Sequence, residues 1–174
     1  EPKTLRKGEE LLKELGIPSH LIISELGLRI LKIETDLGLA DLTPLASEVH
    51  NNKDLGASIS SGSRKSRGMI IAPCSIKTLS GVAHSNSANL LIRAADVILK
   101  ERRPLVLMVR ETPLHKGHIE LMARAADIGA IIHPPLPAFY TKPQSIEDIV
   151  RHSVGRALDH LDIDHDLIKR WDGG

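Results

Sequence analysis

Apolar residues recur along this chain in two rhythms: short unbroken runs, and stripes spaced three or four residues apart. Leu5, Leu11, Leu12 and Leu15 fall on one helical stripe, and Gly16 with Pro18 stops it, which predicts a helix over residues 4–15. Four runs predict strands: HLIIS at 20–24, GMIIA at 68–72 with Pro73 closing it, LVLMV at 105–109, and 130–132. Further helices are expected over residues 26–36, from Ser75 to about His84, from Ser87 to about Arg102, and over 115–128 with Leu121, Ala125 and Ile128 inward. Ser145 opens the last helix, with Asp148 three residues on as its partner in a capping box, and the helix runs to about Leu161. After the second helix, from residue 37 on, the pattern is lost, and a polar loop is expected through residues 51–54 to 60–63.

Strands alternating with helices imply a parallel sheet covered on both faces, and the unbroken apolar runs suit burial on both sides. The expected fold is α/β: a three-layer, doubly wound parallel sheet, flavodoxin-like or Rossmann-like, forming one domain over residues 1–174. A chain of 174 residues, 41% apolar and 26% charged, is long enough for such a core. Its 23 basic and 22 acidic residues leave a net charge of +1, so no global field draws in nucleic acid or an anionic membrane. Only Phe139, Tyr140 and Trp171 are aromatic, too few for a platform on which bases stack. No apolar run approaches the roughly 20 residues of a membrane span. Cys74 is the one cysteine, which excludes an internal disulfide and, with no signal peptide at the start of the chain, points to the cytoplasm.

In doubly wound sheets ligands sit at the carboxyl ends of the strands, and three loops qualify. Pro73 to Thr78 follows GMIIA and opens a helix, whose free N–H groups and dipole attract an anion, with Ser75 and Thr78 adding hydroxyls. Ser75 serves equally well as a plain helix cap, and Lys77 as a surface lysine. Cys74 reads as a small buried hydrophobe rather than a nucleophile, since no histidine lies near it in sequence. Arg110 and Glu111 follow LVLMV directly, where an acid can exchange protons with a substrate or form a salt-bridged strand end. Tyr140, in a proline-rich loop, and Arg156, on the last helix, suit a phosphate or anchor that loop. His115 and His118, three apart, permit a shared metal but have no third ligand in view.

In order, Gly56-Ala57-Ser58, Ser61-Gly62-Ser63, GMIIAPCSIKTLSGVAH, NLLIRAADVILKERRPLVLMVRETPLH, PAFYTKPQSIEDIV and Ile168-Lys169-Arg170-Trp171 resemble the UbiX-type flavin prenyltransferases, a branch of the homo-oligomeric flavin-containing decarboxylases. The resemblance covers about residues 8–171. It implies FMN at the carboxyl edge of the sheet, held by Ser24, Ser75, Ile76, Lys77, Thr78 and Arg110. It implies a dimethylallyl phosphate whose phosphate meets Tyr140, Arg156 and Lys100, with Arg93 nearby, and Glu111 as the catalytic acid–base. Lys100, Arg93, Arg156 and Tyr140 would stabilise the departing phosphate, so the reaction needs no metal. The resemblance also implies sites shared between subunits of a trimer or larger assembly, a dodecamer in the fullest form, and a UbiD-type decarboxylase as recipient of the prenylated FMN.

Two departures stand out. The family begins with a strand and a Gly-rich loop ahead of the helix near Gly8; neither is among these 174 residues, and the expectation is that the natural protein has them. Leu55 stands where some relatives carry a tryptophan near the flavin. The alternatives are a flavin-dependent decarboxylase of a peptidyl-cysteine or of phosphopantothenoylcysteine, or a flavin-binding subunit without catalysis. The decarboxylases lack the set Lys100, Glu111, Tyr140 and Arg156.

Overall fold

The structure, a computed structural model, describes residues 2–168 and 170. Lys169 and Trp171, part of the last matching stretch, lie outside the described residues.

Helix α1 (Pro2–Glu14) ends as its sequence requires. Gly16 takes φ +67°, and the N–H groups of Gly16 and Ile17 donate to the carbonyls of Lys13 and Leu12 at 3.0 and 2.8 Å. This pair of bonds is a Schellman cap, and it needs a residue that is relaxed at positive φ. Strand β1 (His20–Ile23) and helix α2 (Glu25–Glu34) follow. Short α3 (Leu39–Leu42) and strand β2 (Glu48–Asn51) come next. Then β3 (Met69–Cys74), α4 (Ile76–Ala83), α5 (Leu90–Lys100), β4 (Leu105–Val109), α6 (Lys116–Asp127), β5 (Ala130–Ile132) and α7 (Ile146–Asp159) complete the alternation. Every strand pair is parallel, and helices flank the strands, giving the α/β architecture expected.

All five residues of β4 are buried, because β3 and β5 flank it and helices cover it. Its core joins Ile71, Leu79, Val82, Ala95, Leu105 and Leu107. The strands fall into two sheets, β1-β2 and β3-β4-β5. Between β1 and β3 lies a slot of about 770 Å³, walled by Leu21, Ile23, Ile70, Ala72, Val97 and Ile98 among others. Both flanking strands keep an unpaired edge toward it among the described residues. A further parallel strand in this slot would join the two sheets into one.

Several sequence expectations need correction. Residues 39–51 are not all loop: β2 (EVHN) carries only one aliphatic residue, Val49, and is a strand because it pairs with β1. Strand β3 continues through Pro73 to Cys74, where a register irregularity lets the strand pass a residue that has no N–H to donate. Leu15 and Ile128, expected to face inward, are 42% and 43% exposed, since each falls just beyond its helix at the turn.

Candidate functional site

The carboxyl ends of β1, β3 and β4 open on one end of the slot. Ser24 follows β1 and caps α2, its Oγ accepting from Gly27 N at 3.0 Å. Across the slot Ser75 caps α4, accepting from Thr78 N at 3.3 Å, while its hydroxyl donates to Thr78 Oγ1 at 3.2 Å. The capping role weighed for Ser75 is therefore real, and it coexists with exposure to the cavity. Arg110 follows β4 and is exposed. Ser24, Ser75, Thr78 and Arg110 all line the same cavity. Ile76 and Lys77 do not line it: Ile76 packs against the core and Lys77 faces solvent. The α4 N-terminus, three hydroxyls and one guanidinium thus meet on one lip, which favours an anionic group.

The second group of residues stands apart from that cavity in the single chain. Arg93 Nη1 pairs with Asp96 at 3.1 Å, Lys100 Nζ with Glu101 at 2.5 Å, and Arg156 Nη1 with Asp159 at 2.8 Å. Each cation rests on a carboxylate of its own or the adjoining segment, and all three pairs are partly exposed. Burial pushes the Asp159 carboxyl up, but Arg170, His165 and Arg156 outweigh it and hold it below the usual range. Glu111 is exposed, its Oε1 accepting from Thr112 N at 3.1 Å. Neither Arg110 nor Glu111 is ion-paired among the described residues, so the salt-bridged strand end does not form. Tyr140 sits in a turn of 3-10 helix, Phe139–Thr141, with its hydroxyl 3.2 Å from His152 Nε2. His152 lies one turn before Arg156 on α7, so Tyr140 docks on the face that carries that arginine.

Cys74 is fully buried, and burial pushes its thiol up to about 12, far from the thiolate a nucleophile needs. The His115 and His118 rings lie tilted by 34° with centroids 3.5 Å apart, and they belong to no group of three metal-type ligands among the described residues.

Three positioning residues escaped the sequence reading. Asn52 holds the start of α5: its carbonyl accepts from Leu90 N at 2.9 Å and its Oδ1 from Leu91 N at 3.0 Å. Arg103 ties down the preceding loop through the carbonyls of Arg64 and Gly62, at 2.7 and 3.1 Å. Gly62 lies against the ends of the Lys100 and Glu101 side chains, which a Cβ there would push aside. The matched Ser-Gly-Ser tract was the available signal for Gly62; nothing local marks Asn52 or Arg103.

Comparison with known proteins places this geometry. A family model described as Flavoprotein matches residues 4–158. The chain is 56% identical over 164 residues to a flavin prenyltransferase UbiX of Thauera aromatica, covering 94% of this chain and 84% of that protein. It is 54% identical over 159 residues to the flavin prenyltransferase UbiX of Escherichia coli K12, covering 90% and 84%. The solved structure of AnUbiX (PadA1), a complex with FMN and dimethylallyl pyrophosphate, superposes with a TM-score of 0.97 at 43% identity, covering 100% of this chain and 93% of that one. A dodecameric FMN-dependent UbiX-like decarboxylase from Escherichia coli O157:H7 gives 0.95 at 40% identity, covering 99% and 94%.

Proposed function

The chain belongs to the flavoprotein family, among the UbiX-type flavin prenyltransferases, and on that premise we propose that it transfers the dimethylallyl group of dimethylallyl phosphate to N5 and C6 of reduced FMN. The observation that carries this reading is the single cavity lip shared by Ser24, Ser75, Thr78 and Arg110. FMN is the acceptor substrate, with its anionic groups toward the α4 N-terminus and Arg110.

The carbon–oxygen bond of the allylic phosphate breaks as N5 bonds to the allylic carbon, and the departing phosphate takes the electron pair. Lys100, Arg93, Arg156 and the Tyr140 hydroxyl stabilise that charge. Each of the three cations exchanges a carboxylate partner, Glu101, Asp96 or Asp159, for phosphate. Partly exposed ion pairs of this kind are weakly held, so the exchange is easy. Closure onto C6 then consumes the prenyl double bond: one alkene carbon takes a proton, the other bonds to C6, and the proton on C6 leaves, so a proton is both given and taken, and Glu111 is the acid–base that handles it. The separation of the lip from these cations in one chain fits a site completed by neighbouring subunits, in a trimer or a larger assembly up to a dodecamer. The product passes to a UbiD-type decarboxylase in the cytoplasm. Among the described residues no helix is long and apolar enough to cross a membrane.

The test is anaerobic incubation of the purified chain with reduced FMN and dimethylallyl phosphate, followed by mass spectrometry of the released flavin. A flavin heavier by one dimethylallyl unit is expected; FMN that stays bound but unmodified overturns the transfer reading.

A further inference from the structure

At the far end of β1 from Ser24, three metal-type donors meet on one face of the β1-β2 sheet. His20 stands directly opposite Glu48, and His50 lies two residues beyond Glu48, so strand register puts all three on the same side. His20 Nδ1 is 2.8 Å from His50 Nε2 and 3.4 Å from Glu48 Oε2. His50 Nδ1 is 3.7 Å from Glu48 Oε1, and the two rings stack with centroids 5.1 Å apart. Donor atoms from the three residues lie within 4.8 Å of one another, and among the described residues no other such trio exists. The His50 side chain is only 5% exposed.

Hydrogen bonding sets the state of the rings. Arg64 Nη2 donates to His20 Nε2 at 2.9 Å, so His20 carries its proton on Nδ1 and donates it to His50 Nε2. His50 then carries its own proton on Nδ1, toward Glu48. Neutral imidazoles beside a carboxylate are the forms a metal requires. A tetrahedral ion with bonds of about 2.0–2.1 Å sets its ligand atoms about 3.3 Å apart. The His20–Glu48 distance of 3.4 Å already matches, the two imidazole nitrogens need to open by about half an ångström, and the whole trio lies within 4.8 Å.

The geometry points to a divalent transition-metal site at His20, His50 and Glu48, zinc by its two-imidazole, one-carboxylate donor set, with water as fourth ligand, clipping β1 to β2. Binding through Nδ1 moves the His20 proton to Nε2, which then no longer accepts from Arg64. The guanidinium therefore competes with the ion for the ring. This site lies at the opposite end of β1 from the FMN lip and is independent of the transfer reaction.

The experiment titrates the full untagged chain, stripped of metal, with cobalt(II) and then zinc(II), following the cobalt d–d bands and the zinc-induced rise in Tm. One tetrahedral cobalt per chain is expected, displaced by zinc. Glu48→Gln and His50→Gln should each weaken binding by ~100-fold or more, as loss of one of three ligands implies, and abolish the Tm rise. Glu48 is half exposed, so its variant stays folded if His50→Gln does not. Arg64→Gln should tighten binding about three- to tenfold, because the competing cation is gone. Absence of stoichiometric tetrahedral bands, or bands undiminished in Glu48→Gln, would overturn the site and leave the trio a hydrogen-bonded network. Prenyl transfer by metal-free protein is unaffected in either case.

Discussion

The apolar runs of β1 (HLII) and β4 (LVLMV) are similar, yet the sheets they belong to are held very differently. In β3-β4-β5 the central strand is buried along its whole length, and a core of twelve buried residues surrounds it. In β1-β2 only Leu21 and His50 are buried within the strands, and one edge of β1 faces the slot. Burial of an apolar run is thus a property of its neighbours, not of the run. The cavity lip spans this divide, with Ser24 on the loosely held side and Ser75, Thr78 and Arg110 on the packed side. Ligand contacts should therefore respond to both halves, and Glu111 to the packed half.

The largest expected effect separates chemistry from binding within the packed half. Glu111 is exposed at the end of β4, so Glu111→Gln should leave FMN affinity and folding intact and slow transfer ~10²-fold or more, read by anaerobic single-turnover assays. Unchanged product formation would remove its acid–base role. Next is packing. Leu107→Ala, in the middle of β4, should cost about 3–4 kcal/mol by urea unfolding, whereas Leu21→Ala, beside the open slot, should cost about 2 kcal/mol. Equal costs would mean the halves are equally well held. A smaller effect distinguishes the two capping serines. Ser75→Ala and Ser24→Ala should each lose about 1 kcal/mol of stability. Both should weaken FMN retention, measured by fluorescence of the released flavin; a loss for only one would place FMN on that side of the slot alone.

The smallest effect concerns Glu9, a buried carboxylate of α1 beside the slot, bonded by Ser19 Oγ at 2.6 Å. Burial raises its pKa, only partly offset by Ser19. Ionisation therefore opposes folding: the penalty is absent below the ordinary carboxylate range and grows as pH rises through it. Glu9→Gln should raise stability by ~1 kcal/mol at pH 8 and by almost nothing at pH 4, followed by thermal unfolding. A gain independent of pH would exclude the charge as its cause.

Much of the fold was legible in the chain. LVLMV and 130–132 are strands at the expected residues, Ser145 with Asp148 forms its capping box, and Gly16 ends α1. These features rest on interactions within a few residues, which local sequence encodes. The site was legible in part. Ser24, Ser75, Thr78 and Arg110 each follow a strand end, the position that sheet topology turns into a ligand edge, while Ile76 and Lys77 share the loop but point elsewhere because a helix rotates its residues by 100° each. The Lys100, Arg93, Arg156 and Tyr140 set came from resemblance, and in one chain those residues lie apart from the lip.

What the sequence alone determined is therefore the order and kind of elements, their caps, and the strand ends at which a ligand edge forms. Only the tertiary structure decided that EVHN is a strand, that the sheet parts at a slot between β1 and β3, that Arg93, Lys100 and Arg156 each rest on a carboxylate, and that His20, Glu48 and His50 converge. Each of these depends on contacts between residues distant in the chain, where strand register and packing, rather than local propensity, set which side chains meet.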